Sequence, residues 1–364
     1  MRVDLVDPPA YSLPYDHALA VALAGLGVDV RLVTSRFAYG SAPAPEGYVR
    51  EELFYRHAVG AAGSRLRALS KRVEHPFDVL RYSRAAGRRA EVRHFQWLTV
   101  PRLDLRTLPR GPNVLTIHEP LKRDRRPFPA SAFRAVEAIV VHTDDARQRV
   151  IADHGLESDR VHVIRHGVLT GDPARADGQL PPELPQTDLP VVLCFGLIRP
   201  YKGVETLLRS WRGIADAELW IVGRPMIDLA SLRREAPPNV RILGRFVTPA
   251  EEAALFARAD LVVLPYRRSE RFGFSGVLAT ALGCGKAIVL SEVSGLDEVA
   301  AIGAARGVAP GDVDALHAAL ADLLADASER DRLAVAAAEA AATVYSWDAA
   351  ARATLSLYRG LARG

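Results

Sequence analysis

Cysteine and methionine are scarce, two of each in 364 residues, and the two cysteines, Cys194 and Cys284, lie far apart. So few thiols build no disulfide framework, which predicts a reducing, cytoplasmic setting. No apolar run approaches the roughly 18 uncharged residues that a membrane span needs, so an integral membrane protein is excluded. Residues 1–6, MRVDLV, run straight into an apolar strand pattern with no cleavable leader expected. The ten histidines show no HExxH or other ligand spacing, and no metal site is expected. The nucleophile elbow GxSxG is missing, because Ser275 sits in Gly-Phe-Ser-Gly with no glycine two places before it. The Walker pattern is missing too, since GCGKA (283–287) has the wrong lead-in and lacks the final hydroxyl. Where a nicotinamide-binding domain has a glycine-rich turn after its first strand, this chain has DPPAYSLPYDHAL (7–19), rich in proline.

What is present is a globular composition, 49% hydrophobic and 25% charged, in a chain long enough for two cores. The net charge of +4 is modest but uneven. Arg65, Arg67, Lys71, Arg72, Arg81, Arg84, Arg88, Arg89 and Arg93 crowd into the first half. Such a cluster is either a solvated arginine-rich surface or a face toward anionic lipid or a phosphorylated acceptor. No nucleic-acid-binding motif accompanies it, so nucleic acid is not an expected partner.

Short β-branched runs alternate with helical periodicity: strands at 2–7, 28–35, 91–97, 113–118, 138–143 and 160–167, with a helix at 16–27. The polar, proline-rich stretch LTGDPARADGQLPPELPQTDLP (169–190) has linker composition. The alternation then restarts, with strands at 190–196, 217–223, 240–244, 260–266, 286–291 and 305–309 and a helix at 204–214. This predicts α/β architecture with two doubly wound, Rossmann-like parallel-sheet domains. The first would span 1–170, the linker 171–188 and the second 189–345. A last amphipathic helix over 346–364 would dock elsewhere on the molecule.

In doubly wound sheets, ligands sit at the carboxyl ends of the strands. In the second half, FGLIRPYKGVETLL (195–208) places Gly196, Arg199 and Lys202 before a helix, cations suited to a diphosphate. IVGRP (221–225), with Arg224, and LGRFVTP (243–249), with Arg245 and Val247, are strand-to-loop transitions able to approach a base or ribose. In ERFGFSGVLATALGCGKAIV (270–289), the hydroxyl of Ser275 and the amides of Ser275, Gly276 and Val277 face a phosphate at a helix N-terminus, and Gly273 and Gly276 permit close approach. In the first half, VLTIHEP (114–120) ends a strand with His118, able to bond a sugar hydroxyl or support a reacting centre. HFQWL (94–98) offers Gln96 and Trp97, an amide and an aromatic face for an acceptor sugar, to which Tyr15 is added. A structural role for His118 and core packing of Trp97 remain open at this point.

In combination these segments resemble the GT-B glycosyltransferases, and specifically the large retaining family four (glycosyl transferases group 1). The resemblance runs in order through VLTIHEP, VHVIRHGV, VLCFGLIRPYKGVETLLRSW, LWIVG, VRILGRF, ADLVVLPYRRSERFGFSGVLATALGCGKAIVLSEVSGLDEV, GVAPGDVDAL and YSWDAAARATLSLYR, across nearly the whole chain. It implies two domains facing a cleft, with the last helix crossing back to the first domain. It also implies that Arg199 and Lys202 hold the donor diphosphate, that His118 is the first-domain active-site histidine, and that Phe272 to Val277 lie in the donor-binding turn with Phe274 among them.

One departure stands out. The family has Glu-x7-Glu in that turn, and aligning Cys284-Gly285-Lys286 puts Phe272 and Thr280 at the two positions. Glu270 lies two residues upstream as a candidate for the donor sugar, and the hydroxyl of Thr280 as a weaker one for ribose. The expectation is a metal-independent transferase with no cofactor, using a nucleotide-diphosphate sugar as co-substrate and a sugar, lipid-linked or small-molecule hydroxyl acceptor. It would be cytoplasmic, with the basic first half allowing peripheral contact at the inner membrane face. The alternatives are a GT-B nucleotide-sugar epimerase or hydrolase and a catalytically degenerate sugar-nucleotide-binding protein.

Overall fold

The computed structural model describes all residues except 39–41, 61–63, 87–89, 120–121, 124–125, 170–177, 270–272, 294 and 364. The chain divides into two compact units, Met1–Gly167 with Trp347–Gly364, and Val168–Ser346. Residues 171–177 of the expected linker, 171–188, lie outside the described residues.

The first unit opens with β1 (Arg2–Asp7), α1 (Leu13–Gly25), β2 (Asp29–Ser35), β3 (Val49–Phe54), α2 (Arg65–Ala86), β4 (Val92–Phe95) and α3 (Pro101–Thr107). It continues with β5 (Asn113–Thr116), the small antiparallel pair β6 (Lys122–Arg123) and β7 (Arg126–Pro127), β8 (Ala138–Val141), α4 (Asp144–His154) and β9 (Val161–Val163). Seven strands form one parallel sheet in the order β3-β2-β1-β4-β5-β8-β9. Every residue of β4, β5 and β8 is buried, as expected when helices cover both faces of a parallel sheet.

The second unit carries β10 (Val191–Phe195), α5 (Val204–Ser210), β11 (Glu218–Val222), α6 (Ala230–Glu235), β12 (Val240–Leu243), α7 (Pro249–Arg258) and β13 (Leu261–Leu264). After these come α8 (Gly276–Gly283), β14 (Ala287–Ser291), α9 (Asp297–Ala301), β15 (Arg306–Val308), α10 (Val313–Ala325) and α11 (Ala327–Ala342). Its six-stranded parallel sheet runs β12-β11-β10-β13-β14-β15. The strand order reverses between β1 and β4 in one sheet and between β10 and β13 in the other. Each reversal opens a crevice at the carboxyl ends of the strands.

The strands expected from the alternation are present, mostly trimmed by a few residues where loops begin. β3 was not expected. Its sequence VREELF carries three charges, which an edge strand with one neighbour tolerates because part of it faces solvent.

The last helix, α12 (Trp347–Leu361), completes the first unit. It buries Ala350, Ala351, Thr354, Leu355 and Tyr358, and packs with Leu13, Leu19 and Leu23 of α1 in one core. Its small residues admit close approach, and Tyr358 adds a polar anchor. The Tyr358 hydroxyl lies 2.6 Å from His94 Nδ1, and His94 Nε2 lies 2.7 Å from Thr116 Oγ1, so helix, β4 and β5 share one buried chain of hydrogen bonds. Removing the hydroxyl leaves a fully buried imidazole nitrogen unpaired. Tyr358→Phe is therefore expected to destabilise the first unit by about 1–2 kcal/mol, read as a lower denaturation midpoint; an unchanged midpoint would show that the pair contributes nothing.

Candidate functional site

In the second unit, the crevice between β10 and β13 gathers the expected diphosphate residues. After β10 the chain turns through Gly196 and Arg199 into a short 3-10 turn, Pro200–Lys202, before α5. Gly203 closes that turn at φ +70°, and a Cβ there would lie 1.8 Å from the carbonyl oxygen of Pro265. Only glycine lets the β10 loop press against the loop after β13 in this way. Gly223, after β11, is pressed equally hard, its absent Cβ standing 1.9 Å from the carbonyl oxygen of Gly196.

This close approach delivers Lys202 to Tyr266. The Lys202 ammonium donates to the Tyr266 hydroxyl and sits 3.9 Å from that ring's centre. The Tyr266 hydroxyl in turn lies 3.0 Å from Ser275 Oγ, which caps α8 by accepting from the Leu278 amide. Lysine, tyrosine, serine and a helix N-terminus thus form one line across the reversal point. Burial, partly offset by Cys194 and helped by the charge of Arg199, lowers the Lys202 ammonium to about 8, while burial raises the Tyr266 phenol. A buried cation beside a helix N-terminus is a site that favours an anion.

Other expected donor residues have their own partners. Val277 packs over Gly196. Phe274 stacks on Tyr345 at 5.1 Å between ring centres. Thr280 Oγ1 donates to the Gly276 carbonyl one turn back, 3.1 Å away. Arg224 lies over the ring of Phe246, and Val247 packs against the core. Arg245 forms ion pairs with Glu183 at 2.8 Å and Glu251 at 2.7 Å. Gly273 is described at φ +114°, whereas Glu270 and Phe272 lie outside the described residues.

In the first unit, the ends of β4, β5, β8 and β9 bring aromatic and imidazole rings together. Trp97 stacks on His118 at 5.1 Å and 17°, and Tyr15 meets the same imidazole edge-on at 5.1 Å. Gln96 lies 3.2 Å from His118 Nε2. The residues Tyr15, Gln96, Trp97 and His118 therefore do converge. They are joined by His142, His166 and Trp347, which the sequence reading passed over. Asking the same question of the next two strand ends, VVHT and VIRHG, would have found both histidines.

The tautomers follow from the partners. His142 Nδ1 lies 2.9 Å from the Ile164 carbonyl, which can only accept, so His142 carries its proton there. Burial lowers the His142 imidazole to about 4 and keeps it neutral, leaving Nε2 as an acceptor. His118 Nδ1, 3.1 Å away, must then donate to it. Burial, with His142 next, holds His118 well below the usual imidazole range, so its Nε2 is a bare lone pair. The matching orientation of Gln96 turns its amide nitrogen to His118, which gives a partner to a buried donor that otherwise has none.

Beside this cluster, Trp97 Nε1 donates to Ser12 Oγ at 2.8 Å, and Ser12 Oγ donates to Asp16 at 3.3 Å. Asp7, the last residue of β1, and Asp16, in the first turn of α1, are both fully buried. Burial raises Asp7 to about 6 and raises Asp16 well above the carboxylate range, with the charge of Asp7 adding to the rise. Each carboxyl thus disfavours ionisation of the other. Among the described residues, no group of three or more His, Cys, Asp or Glu side chains is placed to hold a metal ion.

Comparison with known proteins bears on the family and the fold. The model described as Glycosyltransferase Family 4 matches residues 15–171, and that described as Glycosyl transferases group 1 matches residues 189–326. A D-inositol 3-phosphate glycosyltransferase of Xylanimonas cellulosilytica is 30% identical over 244 residues, 62% of this chain and 57% of that protein. The chain thus matches little more than half the length of that relative. Sucrose-phosphate synthase from Thermosynechococcus elongatus has the same fold, with a TM-score of 0.73 at 20% identity and coverage of 99% of both chains. So does the Anabaena protein HepE in complex with UDP-glucose, with a TM-score of 0.69 at 16% identity over 99% of this chain and 100% of that one. The chain belongs to the group 1, family four glycosyl transferases of GT-B fold, the first unit carrying the family four part and the second the group 1 part.

Proposed function

We propose that this protein transfers a sugar, with retention of anomeric configuration and without a metal ion, from a nucleoside diphosphate sugar to a hydroxyl acceptor. The observation that carries the reading is the line Lys202–Tyr266–Ser275 ending on the N-terminus of α8. When the bond between the sugar and the diphosphate breaks, the electron pair stays on the phosphate oxygen. Fixed cations and amides stabilise that charge without having to reorganise. A uridine diphosphate donor is supported by HepE, a fold neighbour crystallised with UDP-glucose. A polyol or sugar acceptor, free or lipid-linked, fits the first unit's aromatic and imidazole surface of Trp97, Tyr15 and His118. A reducing cytoplasmic location fits a chain with two cysteines in 364 residues.

One observation favours sugar-nucleotide binding without transfer. At the position of the family's second glutamate stands Thr280, whose hydroxyl is spent on its own helix. Turnover with donor and an acceptor library separates the two readings, because the binding-only protein would be stabilised by UDP yet release no product.

Arg199→Ala and Lys202→Ala are each expected to lower turnover by about a hundredfold and to weaken UDP binding; unchanged values for both would remove the diphosphate assignment. The pH dependence follows from Lys202. Its ammonium is intact well below pH 8 and is lost above it, so kcat/KM for the donor should be level below about 8 and fall by up to about tenfold per unit above. Lys202→Arg keeps the charge and should abolish that alkaline limb.

His142 acts through His118, as a positioning residue. His142→Phe should lower kcat by about tenfold with little change in donor KM, and nitrogen NMR should then show His118 as a mixture of tautomers. A single unchanged tautomer would refute the relay.

A further inference from the structure

Helix α2 is amphipathic twice over. His75, Asp78 and Tyr82 form its buried face, with His75 bonded to Asp104 at 2.6 Å and Tyr82 to Asp4 at 3.0 Å. On the opposite side stand five large apolar side chains, Leu66, Leu69, Val73, Phe77 and Leu80, with 58, 60, 64, 71 and 43% of their surfaces open to solvent. At 100° per residue they fall within an arc of about 80° and run for about 21 Å along the axis. Exposing one such residue is ordinary; a continuous row of five marks an interaction surface.

The charges around the row select its partner. Arg65 and Arg84 stand at its two ends and Arg72 on one flank, all exposed. The helix has two acidic residues, and both are engaged: Asp78 is buried and accepts from the Tyr55 amide, and Glu74, on the flank opposite Arg72, accepts from the His57 amide. Apolar side chains edged by arginine, with the carboxylate of Glu74 on the other flank tied to the His57 amide, suit the boundary between acyl chains and anionic headgroups, with the helix lying in the plane of the surface. Among the described residues, no helix is long and apolar enough to cross a membrane, so such contact would be peripheral.

We propose that the solvent face of α2 is a membrane-docking surface, its apolar row entering the outer acyl region of an anionic leaflet while Arg65, Arg72 and Arg84 meet lipid phosphates. The inference is independent of the transfer chemistry, and it gives the first unit direct access to a lipid-linked acceptor.

The test uses the full chain with vesicles of phosphatidylcholine alone or with about one-third phosphatidylglycerol, sedimented at low and high salt. Binding is expected to the anionic vesicles only and to weaken as salt rises. Phe77→Gln should reduce it by about tenfold or more, and Arg72→Gln and Arg84→Gln by roughly fivefold each. All of these side chains are exposed, so the thermal midpoint should stay at the wild-type value and loss of binding cannot be blamed on unfolding. No binding to anionic vesicles at low salt would overturn the proposal, as would equal binding by Phe77→Gln. So would a concentration-dependent dimer abolished by Phe77→Gln in a protein that ignores vesicles, since the row would then be a contact between copies of this chain.

Discussion

Parallel pairing is the constraint on which everything else in this protein rests. A parallel strand must be followed by a crossover, so the carboxyl ends of all strands in a sheet emerge on the same side. Chemistry-bearing residues far apart in sequence then meet without any long-range design beyond strand order. In the second unit this joins Lys202, after β10, to Ser275, before α8, through Tyr266 at the end of β13. In the first it joins His118 to His142 and both to Tyr15.

The two units use that convergence in opposite electrostatic senses. One collects positive charge, a buried ammonium and a helix N-terminus, an arrangement that favours an anion. The other collects neutral polarity. Its imidazoles are kept uncharged by burial, which also raises its two buried aspartates above the usual carboxylate range. Such a surface can exchange hydrogen bonds with hydroxyl groups without attracting ions. The division matches a donor whose charge must be held and an acceptor whose hydroxyls must be oriented.

Much of this was legible in the sequence because parallel α/β proteins write their strands as continuous apolar runs. Strand ends could therefore be located, and with them Arg199, Lys202, Ser275, Gln96, Trp97 and His118. What escaped had physical reasons. β3 is an edge strand whose charges mask its pattern. Tyr266 looked like the last residue of an apolar run, and only the glycine at 203 reveals how closely its loop is approached. Asp7 and Asp16 sit nine places apart on either side of a proline-rich turn, and nothing local signals that they share a pocket. Lys286, in the segment that mimics a phosphate loop, instead donates to the carbonyls of Ala257 and Ala259 behind α7, a structural task no motif announces.

The chain position of α12 has a consequence for how this protein comes into being on the ribosome. The first unit is interrupted: residues 1–167 emerge first, but the helix whose Tyr358 bonds His94 is made after the whole of the second unit. At 5–20 residues per second, the face of α1 that α12 will cover waits on the order of ten to forty seconds for its partner. The second unit is continuous and can close its own core during that interval. The unit that starts the chain is therefore the last to be finished, and its exposed face during synthesis is where a chaperone would have the most to protect.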